Sequence, residues 1–129
     1  MVPATRLERI FGSGEQTRDF VHVRDVAQAF LATVQQRRPG RYNIGSGTGV
    51  SVGEVLNLLK ELMGSDIEPQ RTQAIRQEVL HNRLSITKAG NELDWRPRIR
   101  LREGVREIVD GLQAVAAPAA RSPSTTSRA

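Results

Sequence analysis

Hydrophobic and polar positions along the chain switch between a period of two and a period near 3.6, and each switch marks a change of element. Arg18–Val23 alternates, Phe20 and His22 on one face and Val21 and Val23 on the other, which predicts a strand. Asp25 stands where an N-cap belongs, with Gln28 three residues on in the manner of a capping box. Val26, Ala27, Phe30, Leu31 and Val34 follow at helical spacing, and Pro39-Gly40 closes that helix. Arg41–Gly45 predicts a short strand with Tyr42 and Ile44 on one side. After a glycine-rich turn, Ser51 and Glu54 have the Ser-x-x-Glu spacing of a capping box. The helix it opens carries Val52, Val55, Leu56, Leu59, Leu62 and Met63 on one stripe and stops at Gly64.

A short strand near Asp66–Glu68 and a less regular stretch to Leu84 come next. Ser85 is placed to cap a brief helix through Leu93, which leads into a Trp95-Arg96-Pro97 corner. Leu101, Val105, Ile108, Val109 and Leu112 mark a final amphipathic helix. Strand and helix thus alternate with short Gly/Pro punctuation as far as Val115, an α/β pattern without internal repeats. Residues 116–129 (AAPAARSPSTTSRA) hold nothing to bury and read as a disordered tail.

Composition narrows the picture. A chain of 129 residues suits one domain of ordinary size. No apolar run approaches the roughly 20 residues of a membrane-spanning helix, and the N-terminus lacks the basic, apolar and small-residue order of a secretory leader. The absence of cysteine excludes a disulfide framework, a thiolate zinc site and a cysteine nucleophile, and makes a cytoplasmic setting the expectation. The net charge is +5, and all 19 basic residues but Lys60 and Lys88 are arginine. Such a balance suits an anionic partner, either phosphate on a small ligand or nucleic acid. Three Phe, one Tyr and one Trp make a poor stacking platform for single strands.

Familiar chemical signatures fail on spacing. Gly45, Gly47, Gly49 and Gly53 give neither G-x-G-x-x-G nor G-x-x-G-x-x-G, and the capping box already fills the helix end, so a tight strand-to-helix turn is the plainer account. Gly12-Ser13-Gly14 misses as well, with Thr17 at the third glycine position, and suggests a hairpin-like turn. His22 and His81 lack metal-ligand spacing, and His22 suits a structural role. Ser46 stands where a lysine would complete Tyr-x-x-x-Lys after Tyr42, and no catalytic centre is visible.

Arginine is what remains. Arg18 precedes a buried-looking strand and could clamp a diphosphate bidentately, or else pair with Asp19 or Asp25, which spacing alone favours. Arg71, Arg76 and Arg83 lie in the irregular stretch, where they could line a cleft or simply be solvated. Arg96, Arg98, Arg100, Arg102 and Arg106 form a basic cluster whose default is a solvated face.

Read together, several blocks resemble one family. Residues 12–29 (GSGEQTRDFVHVRDVAQA) resemble the G-x-G-x-Q-x-R-D-[FY]-[VI]-[HY]-V-x-D signature of the NAD-dependent epimerase/dehydratases, extended short-chain dehydrogenase/reductases that act on nucleotide sugars. Residues 42–47 (YNIGSG) followed by Ser51-Val52 are similar to that family's next block. Thr87-Lys88-Ala89, Leu93-Asp94-Trp95-Arg96-Pro97 and Leu101-Arg102-Glu103-Gly104-Val105 match its closing pattern. The general look is nearest the UDP-glucose 4-epimerase branch.

The resemblance covers only the C-terminal part of such an enzyme. It implies the end of a Rossmann-type parallel sheet (residues 1–50, without the cofactor fingerprint), a small α/β substrate-binding subdomain (51–115) and the tail. By the same resemblance, Arg18 matches an arginine on the nucleotide diphosphate and Phe20 the aromatic beside it. Arg76 and Glu78 are the candidates for a second clamp, although Ile75-Arg76-Gln77-Glu78 lacks the family's glycine and is one residue short. Ser85 replaces a usual Asp cap. NAD would serve the complete enzyme, and none is expected to bind this chain alone, which is expected to be inactive by itself. The expected ligand is a UDP-sugar-like nucleotide sugar, with a separately encoded Rossmann half as a conceivable partner and no membrane. A basic module binding a polyanion such as nucleic acid is the weaker alternative, resting on charge only. An isolated fragment of this kind should expose apolar edges.

Overall fold

A computed structural model describes residues 9–76 and 78–116. Among these residues four short strands and four helices follow in order: β1 (Arg9–Phe11), β2 (Thr17–Asp19), α1 (Val23–Gln36), β3 (Gly49–Ser51), α2 (Val52–Met63), β4 (Gln70–Thr72), α3 (Thr87–Leu93) and α4 (Leu101–Ala116). The architecture is α/β, as the alternation predicts. Two ladders form, β1 parallel to β4 with Ile10 opposite Arg71, and β2 antiparallel to β3 with Arg18 opposite Val50. The β1–β4 ladder therefore joins residues from before and after position 50. The turn at Gly12–Gly14 is no hairpin, because the strands it connects belong to different ladders; Gln16, 7% exposed, spans it by donating to the Phe11 carbonyl at 2.9 Å.

Around α1 the structure departs from the periodicity. The β2 strand ends at Asp19 rather than Val23, and the helix starts two residues before Asp25. His22 is the N-cap, its Nδ1 accepting from the Arg24 N–H at 3.1 Å. Asp25 is buried instead, one turn before buried Ala29. Its carboxylate accepts from the Ile99 N–H and its carbonyl from the Trp95 indole N–H, both at 2.9 Å. The predicted apolar stripe faces outward: Phe30 is 70% and Val34 75% exposed. The helix closes at Arg37, in the left-handed region, before Pro39-Gly40 is reached.

Ala29, Ala89, Leu93 and Trp95 form the core, with Ala32, Tyr42, Ile44 and Ile86 against it. The Trp95-Arg96-Pro97 corner is thus the centre of packing between α1 and α3. Residues 41–45 place Tyr42 and Ile44 on that core yet form no strand. The predicted strand at Asp66–Glu68 appears a little later as β4, and α3 is capped at Ile86 without a side-chain bond rather than by Ser85.

Two elements match their signals. Ser51 and Glu54 make both capping-box bonds at the head of α2, which ends at Gly64 in the left-handed region. The last helix, α4, packs on α2 through an Arg102–Glu61 ion pair. Gly104 is required where α4 passes His22, since a Cβ there would meet the imidazole Cδ2 at 2.8 Å. Of the proposed tail, Ala116 closes α4 and the rest lies outside the described residues.

Candidate functional site

Strand alternation sends neighbouring side chains to opposite faces, and β2 uses that rule to separate Arg18 from Asp19. The β2 backbone is held on both sides. β3 supplies one ladder, and on the other side the Thr17 N–H donates to the Leu80 carbonyl at 2.7 Å while the Asn82 N–H donates to the Thr17 carbonyl at 3.2 Å. His81 adds a contact between its Nδ1 and the Thr17 hydroxyl at 3.2 Å. Residues 78–82, irregular in sequence, are thereby drawn alongside the strand.

Arg18 faces that segment. Its Nη2 donates to Glu78 Oε1 at 2.9 Å, and its Nη1 donates to the Thr17 and Val79 carbonyls at 2.8 and 2.9 Å. Neither Asp19 nor Asp25 is its partner, because the first points to the other face and the second is buried in α1. Three bonds occupy three of the roughly five N–H donors of a guanidinium, and among the described residues Nε–H and one Nη2–H have no partner. The Arg18 side chain is 34% exposed and the Glu78 side chain 18%. The result is an oriented, partly desolvated cation that can still receive an anion bidentately.

The other predicted residues are placed separately. Arg76 is exposed two positions before Glu78, and Gln77 between them lies outside the described residues. Phe20 lines a cleft of about 470 Å³ with Ser46, Thr48, Arg98, Ile99 and Arg100, a lining that includes neither Arg18 nor Glu78. The structure therefore joins Arg18 to Glu78 and sets Phe20 on a different wall. Of the basic cluster, Arg98 and Arg100 face this cleft, whereas Arg102 is committed to Glu61. Arg71 donates to the Ser13 carbonyl.

Asp19 is the residue that sequence inspection missed. Its Oδ1 accepts from the Ser46 N–H at 2.6 Å and the Ser46 hydroxyl at 2.7 Å; its Oδ2 accepts from the Gly47 N–H at 3.0 Å and the Leu84 N–H at 3.1 Å. Burial pushes this carboxyl up, but the four bonds outweigh it and hold it below the usual carboxylate range. One side chain so fastens β2, the turn at 46–48 and the start of the segment leading to α3. Gly45 must be glycine here, as a Cβ would stand 2.8 Å from Asp19 Oδ2. The signal available in sequence was an acidic residue beside the arginine with a Gly-Ser-Gly turn downstream, and no spacing rule connects the two.

The head of α2 and the 46–47 turn offer no free N–H cradle for a dinucleotide phosphate. The Glu54 side chain already accepts at the head of α2, and the Ser46 and Gly47 N–H groups are spent on Asp19. Among the described residues no group of three His, Asp or Glu is placed to hold a metal, and no helix is long and apolar enough to cross a membrane.

Comparison with known proteins matches residues 3–108 to the family model described as GDP-mannose 4,6 dehydratase. The chain belongs to this family. It is similar to a putative UDP-glucose 4-epimerase of Methanocaldococcus jannaschii, 38% identical over 104 residues, which are 81% of this chain and 33% of the relative. Among solved structures it is similar to UDP-glucose 4-epimerase of Thermotoga maritima with UDP-glucose, at 35% identity and a TM-score of 0.79, over 87% of this chain and 36% of that one. It is also similar to MoeE5 in complex with UDP-glucose and NAD, at 32% identity and a TM-score of 0.77, over 84% and 37%. The chain thus spans about a third of the length of the relatives it matches. The resemblance drawn from the motifs is confirmed, and so is the Rossmann-type α/β class.

Proposed function

We propose that this chain is the sugar-nucleotide-binding portion of an NAD-dependent nucleotide-sugar epimerase/dehydratase of the UDP-glucose 4-epimerase type. The observation that carries it is the Arg18–Glu78 pair, a guanidinium fixed by three bonds with two donors left for a diphosphate. A lone surface arginine would lose side-chain entropy on binding, and this one is already ordered. Glu78 orients it, and exposed Arg76 adds positive charge at the approach. Phe20, in a separate cleft, supplies an apolar wall for another part of the ligand. UDP-glucose occupies the Thermotoga neighbour, and NAD accompanies it in MoeE5, which supports the same pair of molecules for the complete enzyme.

The reaction itself requires the portion that this chain does not span. The chain would bind and orient the nucleotide, and turnover of the sugar is left to the complete enzyme. In this reading residues up to about 50 are the end of a Rossmann-type unit and 51–115 the substrate subdomain, working in the cytoplasm. Titration of the ¹⁵N-labelled chain with UDP-glucose tests the proposal. Shifts at residues 17–20 and 78–80, lost in Arg18→Ala and weakened about tenfold in Arg18→Lys, are expected. Shifts that survive Arg18→Ala, or epimerase turnover by the chain alone, refute it. Nucleic-acid binding has no comparable support, because Arg71 and Arg102 are engaged within the chain.

A further inference from the structure

The cleft beside Phe20 has two ordered walls, each fastened by a carboxylate. On one side Asp19 holds the turn at 46–48 by accepting from the Ser46 N–H and hydroxyl and from the Gly47 N–H. On the other side Asp25 holds the corner after Trp95, its Oδ2 accepting from the Ile99 N–H and its carbonyl from the Trp95 indole, both at 2.9 Å. Arg98 and Arg100 flank Ile99, and both line the cleft of about 470 Å³. Phe20, 37% exposed, and Val50 give the cleft an apolar surface, and Thr48 stands on the wall opposite the arginines. No acidic residue belongs to this lining, and among the described residues neither Arg98 nor Arg100 forms an ion pair. Glu103, three positions beyond Arg100, uses Oε2 to accept from the Arg100 N–H at 3.0 Å.

We propose that this cleft binds an organic phosphate monoester, with the phosphate between Arg98 and Arg100 and the ring it carries against Phe20. Charge selects the class of ligand. A monoester dianion matches two guanidinium cations, whereas a carboxylate would leave one of them uncompensated. Like charges on one wall repel, and a dianion between them turns that repulsion into attraction. Each guanidinium presents parallel N–H groups to two phosphate oxygens, and the Thr48 hydroxyl adds a donor from the facing wall. Phe20 and Val50 take the apolar face of a ring, which a sugar and a nucleobase both possess. Because Asp19 and Asp25 already order the backbone of both walls, binding has only the two arginine side chains left to immobilise. The site is separate from the Arg18–Glu78 pair, whose residues are absent from its lining. It therefore goes beyond the proposed function, which gives Phe20 only an apolar part of a nucleotide sugar.

The test uses the full 129-residue chain, ¹⁵N-labelled and carrying Arg18→Ala so that the diphosphate clamp does not compete. UMP, glucose 1-phosphate and inorganic phosphate are titrated in at constant ionic strength. Saturable shifts at residues 46–50 and 98–101 are expected, with at least one ester binding roughly tenfold tighter than inorganic phosphate, because only the esters reach Phe20. Either order between the two esters supports the proposal and tells whether a base or a sugar lies on that ring. Arg98→Ser with Arg100→Ser alters only exposed positions, so the melting curve stays the same while ester affinity falls roughly tenfold or more. Lysine at both positions keeps the charge, loses the fork and should give an intermediate affinity. Unchanged ester affinity in the double serine variant overturns the proposal. So do esters that bind no tighter than inorganic phosphate, which would reduce the site to general charge attraction, and so do shifts confined to regions outside 46–50 and 98–101. UDP-glucose titration of the chain with Arg18 intact keeps the two proposals apart: a response indifferent to Arg18→Ala removes the diphosphate reading alone, and absent ester binding at 98–101 removes this one alone.

Discussion

Replacing Asp19 with Asn changes one oxygen for one NH₂ at nearly constant volume and isolates the junction between β2, the 46–48 turn and Leu84. The amide carbonyl can still accept from Ser46, but the NH₂ then faces the Gly47 and Leu84 N–H groups, which approach Oδ2 at 3.0 and 3.1 Å. Two donors lose their acceptor. Each would cost about 1–3 kcal/mol if fully buried. Because Asp19 is only half-buried, water re-solvates part of the site, and about 2 kcal/mol for the pair is the expected loss. For a domain of this size that lowers Tm by about 8 °C.

The pH dependence carries a second check. The folded-state pKa of Asp19 lies below its ordinary value, so the carboxylate contributes its stability in full above the unfolded pKa of about 3.9 and loses it as pH falls through the folded value. The Tm gap between wild type and Asp19→Asn should therefore be widest at neutral pH and close progressively in acid. Thermal melts followed by circular dichroism from pH 7 down to about pH 3 measure both quantities. A gap below about 2 °C at pH 7, or one that is undiminished in acid, would refute the assignment of Asp19 as an ionised anchor.

Three further outcomes follow from single contacts. Gly45→Ala places a methyl group 2.8 Å from Asp19 Oδ2, and should destabilise by about 1–3 kcal/mol in urea unfolding, with much less effect in an Asp19→Ala background. Ser51→Ala removes the acceptor for the Glu54 N–H and should cost about 1 kcal/mol by the same assay, with no change in UDP-glucose affinity. Trp95→Phe removes the indole donor from the Asp25 carbonyl, which keeps its helical bond, and opens space beside Leu93, for an expected loss of about 1–2 kcal/mol.

Local signals determined several features without help from the rest of the chain. The Ser51–Glu54 box and the Gly64 stop bound α2 because a capping bond forms within four residues and needs no distant partner. The amphipathic spacing from Leu101 marked α4, and the motif blocks were enough to identify the family. Tertiary structure decided where those local choices compete. Asp25 could have capped a helix, but Trp95 and Ile99, some 70 residues on, offered it buried donors, and the cap passed to His22. Arg18 had two acidic neighbours in sequence and took Glu78, because strand alternation turns adjacent side chains apart and brings a distant segment alongside. Periodicity likewise named an apolar stripe on α1 but not its burial, since burial is a property of two surfaces, and Phe30 and Val34 stay exposed.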